Sequence, residues 1–185
     1  MLKYLLFILM SGLYLTGCAN PTKVVLLGNE SFPKEVAGVW VSEDKTWTIV
    51  FEETGAIEYA IIPLGEIRIQ PGKITRFSIP KYEGKGIYEP GDWQVGYSSE
   101  GRELGVTLEL KHFYQDVGNH AIEGQTTDYL VGRLYEDNKT WIADLQSSGK
   151  IEALIFDGWT LKERREMINN PEPEYRGKVV FHKVN

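Results

Sequence analysis

The chain has little sulfur and little histidine to work with: one cysteine, Cys18, and three histidines in 185 residues. A single thiol leaves no intrachain disulfide, so the fold must rest on its packed core. No stretch reaches the roughly 20 consecutive apolar residues that span a bilayer as a helix. Basic residues are outnumbered, with 20 Lys and Arg against 26 Asp and Glu for a net charge of −6. Nucleic acid and anionic headgroups reward clustered cations, so neither is an expected partner. No fixed period of about 20 to 50 residues marks a repeat architecture. The Ser98-Ser99 and Ser147-Ser148 pairs lack the Gly-x-Ser-x-Gly elbow of hydrolases, and no Gly-rich loop sits between a strand and a helix to cradle phosphate.

What is present begins with an address. Lys3 supplies one positive charge, Tyr4 to Met10 is apolar, and the run continues through Leu13 to Leu15. This is the layout of a cleaved secretory signal, short of a spanning helix and ending in small residues. Leu15-Thr16-Gly17-Cys18 resembles the lipobox of bacterial lipoproteins. The resemblance implies a signal peptide over 1–17, cleavage before Cys18, and acylation of both its thiol and its new amino group. Several acyl chains anchor firmly where one gives only reversible binding, at about 0.8 kcal/mol per buried CH₂. Ala19, in place of an Asp, implies a lipid-anchored protein of the cell envelope, on the outer membrane facing the periplasm in a Gram-negative host. Lipidation consumes the sole thiol and cleavage removes Lys3, leaving the mature chain slightly more acidic.

Residues 18–35 read as a lipidated N-terminus and tether. Asn20-Pro21-Thr22-Lys23 is polar, while Val24 to Leu27 is a short apolar run suited to an edge strand. Residues 36–185 are long enough for one domain that buries about 68 to 70% of its unfolded surface. Within it, strand patterns recur between turn signals. Trp47, Ile49 and Phe51 alternate with polar or smaller neighbours, Glu53-Thr54-Gly55 turns, and Ile57, Tyr59 and Ile61 resume. Gln70-Pro71-Gly72-Lys73 suits a type II turn between Ile67-Ile69 and Thr75-Ile79. Lys81 to Asp92 reads as the longest loop. Trp93, Val95 and Tyr97 then share a face, Ser99 to Arg102 turns, and Leu104, Val106, Leu108, Leu110, His112 and Tyr114 share a face of the return strand. If Tyr97 pairs with Leu104, Val95 faces Val106 and Trp93 faces Leu108.

Three further strands are expected at Thr126–Tyr135, Thr140–Gln146 and Ile151–Phe156, parted by Asp137-Asn138-Lys139 and Ser147-Ser148-Gly149. Thr160 to Ile168 reads as the one helix, opened by a Thr160 to Glu163 capping box and stopped before Pro171. Val179 to Val184 closes the chain as a strand. The expected fold is therefore all-β: an antiparallel, closed or nearly closed barrel of about 8–10 strands with one short C-terminal helix, because closure removes exposed sheet edges. A two-sheet β-sandwich is the alternative. Glu43-Asp44-Lys45-Thr46-Trp47 and Glu136-Asp137-Asn138-Lys139-Thr140-Trp141 read as two similar hairpin turns.

Gly38-Val39-Trp40 at the start of the first confident strand, and Thr127-Asp128-Tyr129 late in the chain, resemble the Gly-x-Trp and Thr-Asp-Tyr tags of lipocalins. The second tag is the more specific of the two. The resemblance implies a lipocalin-like β-barrel over 36–185, with Gly38, Trp40, Thr127, Asp128 and Tyr129 as structural tags. It further implies a basic residue, Arg164 or Arg165, stacked on Trp40, and a cavity for a small apolar or amphipathic ligand.

No catalytic constellation emerges, so the chain is not read as an enzyme, and no cofactor or metal is expected. His112, His120 and Glu123 are the residues from which a metal site would have to be built, but spacing alone does not make them converge. Glu52 and Glu53 flank a hairpin turn, and adjacency does not make a catalytic carboxylate pair. The expected ligand-binding residues are Trp93, Tyr97, His112 and Tyr114, an apolar row with polar tips. The expected partners are a membrane, through the lipid anchor, and either a small apolar ligand or an envelope protein. In the second case the chain is an inhibitor or immunity lipoprotein, acting through exposed segments such as Lys81–Asp92 or Gln115–Gln125.

Overall fold

The computed structural model describes residues 22–28, 31–79, 84–117, 120–135, 138–156 and 169–184. Cys18, the signal segment, and the expected helix over 160–168 with Arg164 and Arg165 lie outside them. Among the described residues there are twelve strands and no helix: β1 (Thr22–Leu27), β2 (Gly38–Ser42), β3 (Thr48–Phe51), β4 (Ile57–Ile61), β5 (Arg68–Ile69), β6 (Thr75–Ile79), β7 (Gly84–Pro90), β8 (Trp93–Ser98), β9 (Glu103–Val117), β10 (His120–Leu134), β11 (Thr140–Phe156) and β12 (Asn169–Val184). The fold is all-β, as the alternating patterns require.

The strands form one sheet in the order β1-β8-β9-β10-β11-β12-β2-β3-β4-β5, with β6 paired to β7 and β7 to the far half of β9. Every pair is antiparallel except β1 with β8, which runs parallel from Thr22↔Trp93 to Leu27↔Ser98. The sheet is thus mixed where a purely antiparallel one is expected, and strand pairing does not close it. Its two flanks nevertheless touch. The Ile57 amide donates to Thr22 Oγ1 at 3.4 Å, and the Phe32 ring lies 5.9 Å from both Phe51 of β3 and Tyr97 of β8. The Tyr88 hydroxyl and the Gln115 side-chain amide both donate to the Leu64 carbonyl. Burial pushes the Tyr88 phenol up to about 12. Apolar side chains from both flanks form one cluster, with Trp40, Trp93, Trp141, Phe113 and Phe181 fully buried in it. Within the segment read as tether, β1 joins the sheet, and Phe32 is only 3% exposed.

Several turns form where their chemistry dictates. Gly72 takes φ +68° and the Lys73 amide donates to Gln70 O at 3.2 Å, as a turn with Pro71 and Gly72 at its centre requires. The two similar hairpin turns share the same hydrogen bonds among their described residues. The Ser42 and Tyr135 amides each donate five residues ahead, to Trp47 O and Thr140 O, and Lys45 and Asn138 each donate back to the turn's first carbonyl. Lys45 and Asn138 hold the matching positive φ values of 62° and 50°.

Other stretches depart from expectation. Residues 84–90, read as loop, form β7: Gly84, Gly86, Tyr88 and Pro90 make its buried row. A Cβ on Gly86 would collide with the Phe77 ring on β6, so the glycine makes room for an aromatic side chain. Ser147-Ser148-Gly149 is not a turn but the middle of β11, where a Cβ on Gly149 would come within 2.9 Å of Thr126 Cα on β10. The close approach of the two backbones explains the glycine. Residues 115–117 and 120–125, read as part of an exposed loop, belong to β9 and β10. Twelve strands therefore stand where 8–10 are expected.

Candidate functional site

A cavity lies beside the bulges in β9 and β12, with β10 and β11 supplying the rest of its strand wall. Its volume is about 280 Å³, and its wall includes Trp47, Leu64, Phe113, Leu145 and Ile151, together with the polar side chains of Asp128, Ser147 and Arg176. Alternation along β10 directs Asp128 to the same face as buried Leu130 and Leu134. Ser147 is its direct cross-strand partner on β11, and the Ser147 hydroxyl donates to Asp128 Oδ1 at 2.6 Å.

Arg176 reaches the cavity through an irregularity. Leu145 pairs with Gly177 and Gln146 with Tyr175, so Arg176 is the extra residue of a bulge in β12. Its guanidinium is bridged to Glu174 at 3.1 Å and remains partly exposed. Burial holds the Asp128 carboxyl above its usual range, opposed by the Ser147 hydrogen bond and the Arg176 charge. A wall of aromatic and aliphatic side chains with a few convergent polar groups is the makeup of a small-molecule site.

The residues expected to form the ligand site divide between two faces. Trp93 and Tyr97 are buried, and the expected pairs Tyr97↔Leu104 and Val95↔Val106 are present. Neither residue lines the cavity. The Trp93 indole N–H donates to Glu109 O at 2.9 Å, and Tyr97 packs on Phe32. His112 and Tyr114 do not share their face. Leu110 pairs with Thr126 but Phe113 with Gly124, and on the other side Pro90 pairs with Leu110 but Glu89 with His112. One extra residue in β9 resets the alternation, so Phe113 takes the interior position and is fully buried. His112 is instead paired with Glu123 at 2.7 Å, and the Tyr114 hydroxyl donates to Asp116 at 3.3 Å.

Of the residues considered for a metal, His112 and Glu123 meet, and His120 opens β10. Among the described residues no group of three or more His, Cys, Asp or Glu is placed to hold a metal ion. Trp40 is fully buried and its indole N–H donates to Val36 O at 2.8 Å. Its cross-strand partner is Lys183, whose ammonium donates to Glu35 O at 2.5 Å. Of the three residues Thr127, Asp128 and Tyr129, Asp128 alone lines the cavity.

Ser147 and Arg176 escaped the sequence reading, the first because Ser-Ser-Gly looks like a turn and the second because a bulge has no sequence signature. Asp128 carried a signal: a carboxylate in register with Leu130 and Leu134 on an inward row. Comparison of the chain with protein-family models, with curated proteins and with solved structures finds no match.

Proposed function

We propose that this chain is a lipid-anchored binding protein of the bacterial cell envelope, whose curled sheet works as a lipocalin-like barrel and holds a small amphipathic molecule. The observation that carries the reading is the cavity beside Asp128, Ser147 and Arg176, apolar along most of its wall and polar at one place. Flank-to-flank contacts at Thr22 and Phe32 support the barrel description over a sandwich, since they join strands from opposite ends of the sheet order. The address rests on the lipobox at Leu15–Cys18, and it puts the protein on the outer membrane facing the periplasm in a Gram-negative host. The inhibitor or immunity reading has less support, because much of both segments it relies on is strand.

Titration of the protein with a neutral, environment-sensitive apolar dye tests the cavity. Saturable binding at one site per chain is expected, and Leu145→Trp, which fills the cavity, should abolish it while the circular dichroism spectrum is kept. Dye binding that survives a folded Leu145→Trp protein would refute the assignment.

A further inference from the structure

The geometry points to a cationic head group, a primary ammonium or its close equivalent, on the molecule this cavity takes, with the Asp128 carboxylate as its anchor. The inference rests on the cavity reading above and adds the ligand's charge to it. An ionised carboxylate offers about four acceptor positions. Among the described residues, the Ser147 hydroxyl is the one hydrogen-bond donor to Asp128, and it occupies Oδ1. Asp128 borders a cavity whose other walls are largely apolar. A carboxylate with one protein donor at the edge of an apolar cavity has acceptor capacity left for a donor that a ligand brings in.

The sign of the donor follows from the charges around it. Among the described residues, Asp128 of β10 and Arg176 of β12 line this end of the cavity, and Glu174 of β12 pairs with Arg176. Arg176 is the group that would attract an anion, but it is already bridged to Glu174 and keeps 36% of its side chain exposed. Solvent and Glu174 both screen it. Asp128 is the less solvated of the two charged groups that line the cavity. An ammonium carries three donors and no acceptor, the complement of a carboxylate, which only accepts. Trp47 and Phe113 line the same space, and an aromatic face adds attraction for a cation within about 6 Å of its centroid. A fatty acid, by contrast, would bring a second carboxylate towards Asp128.

Calorimetric titration of the full chain with octylamine, octanoate and octanol reads the head group directly. These probes share one chain length and differ in charge. Octylamine should bind once per chain, at least about ten-fold more tightly than octanoate, with octanol between them. Asp128→Asn should erase the preference for octylamine while octanol still binds. Because the net acidic charge of the protein could hold an amine loosely anywhere on its surface, Leu145→Trp must also remove octylamine binding. Octanoate binding as tightly as octylamine overturns the head-group assignment and leaves the cavity standing. Failure of all three probes to bind saturably overturns the cavity reading and the inference with it. Should Asp128→Asn not fold, the octylamine to octanoate ratio of the unsubstituted chain decides alone.

Discussion

Ser147 stands directly opposite Asp128 across the β10–β11 pair and donates its hydroxyl to the carboxylate at 2.6 Å. A serine read from the sequence as part of a turn thereby becomes the partner of an acid on an inward row. Their pairing depends on β11 running unbroken through Ser147, Ser148 and Gly149.

Asp128 should make the folded state less stable as pH rises. Burial lifts its folded-state pKa above the ordinary 3.8, against the Ser147 hydrogen bond and the Arg176 charge. A carboxyl that holds its proton more tightly folded than unfolded contributes a stability loss that begins near the unfolded value and is complete above the folded one. Asp128→Asn removes that titration. Urea midpoints from about pH 3 to pH 7 should therefore favour the variant progressively as pH rises, and a constant difference across the range would count against the assignment.

Asp44 should show the opposite slope. Its carboxylate accepts from the Ser42 hydroxyl at 2.5 Å, the Thr46 amide at 3.0 Å and the Thr46 hydroxyl at 2.9 Å, and these hydrogen bonds hold its pKa below 3.8. A lowered carboxyl contributes stability above the unfolded value that is lost as pH falls through the folded one. Because the residue is exposed, Asp44→Ala should cost no more than about 1 kcal/mol at neutral pH. The difference from the parent should shrink in acid, which urea denaturation at two pH values measures.

Trp93→Ala should act on the core and spare the cavity. The side chain is 1% exposed and its indole N–H bonds Glu109 O, so truncation should cost about 3 to 5 kcal/mol. Dye affinity of the folded fraction should stay within about two-fold of the parent, since Trp93 does not line the cavity. Loss of dye binding without loss of stability would place the ligand beside Trp93 instead.

Cys18→Ala should abolish lipid attachment. In cells fed a fatty-acid analogue, the intact protein should take up label and fractionate with membranes, while the variant should accumulate as an unlabelled precursor. An unlabelled parent would remove the lipoprotein assignment.

The amino-acid sequence by itself determined the all-β class, the β8–β9 hairpin with its Tyr97↔Leu104 register, and the Pro71-Gly72 turn. Each rests on a local rule: alternation of period two, or a φ that proline and glycine supply. What only the tertiary structure decided is which face a residue meets once a strand runs past a single neighbour. One extra residue in β9 turned His112 and Tyr114 away from the interior and put Phe113 there, and one in β12 brought Arg176 to the cavity. Gly84, Gly86 and Gly149, which signal turns when read locally, lie within strands, the last two where a neighbouring side chain or backbone leaves no room for a Cβ. A bulge exchanges the two faces of every residue beyond it, and its position is set by the register of the strands on either side.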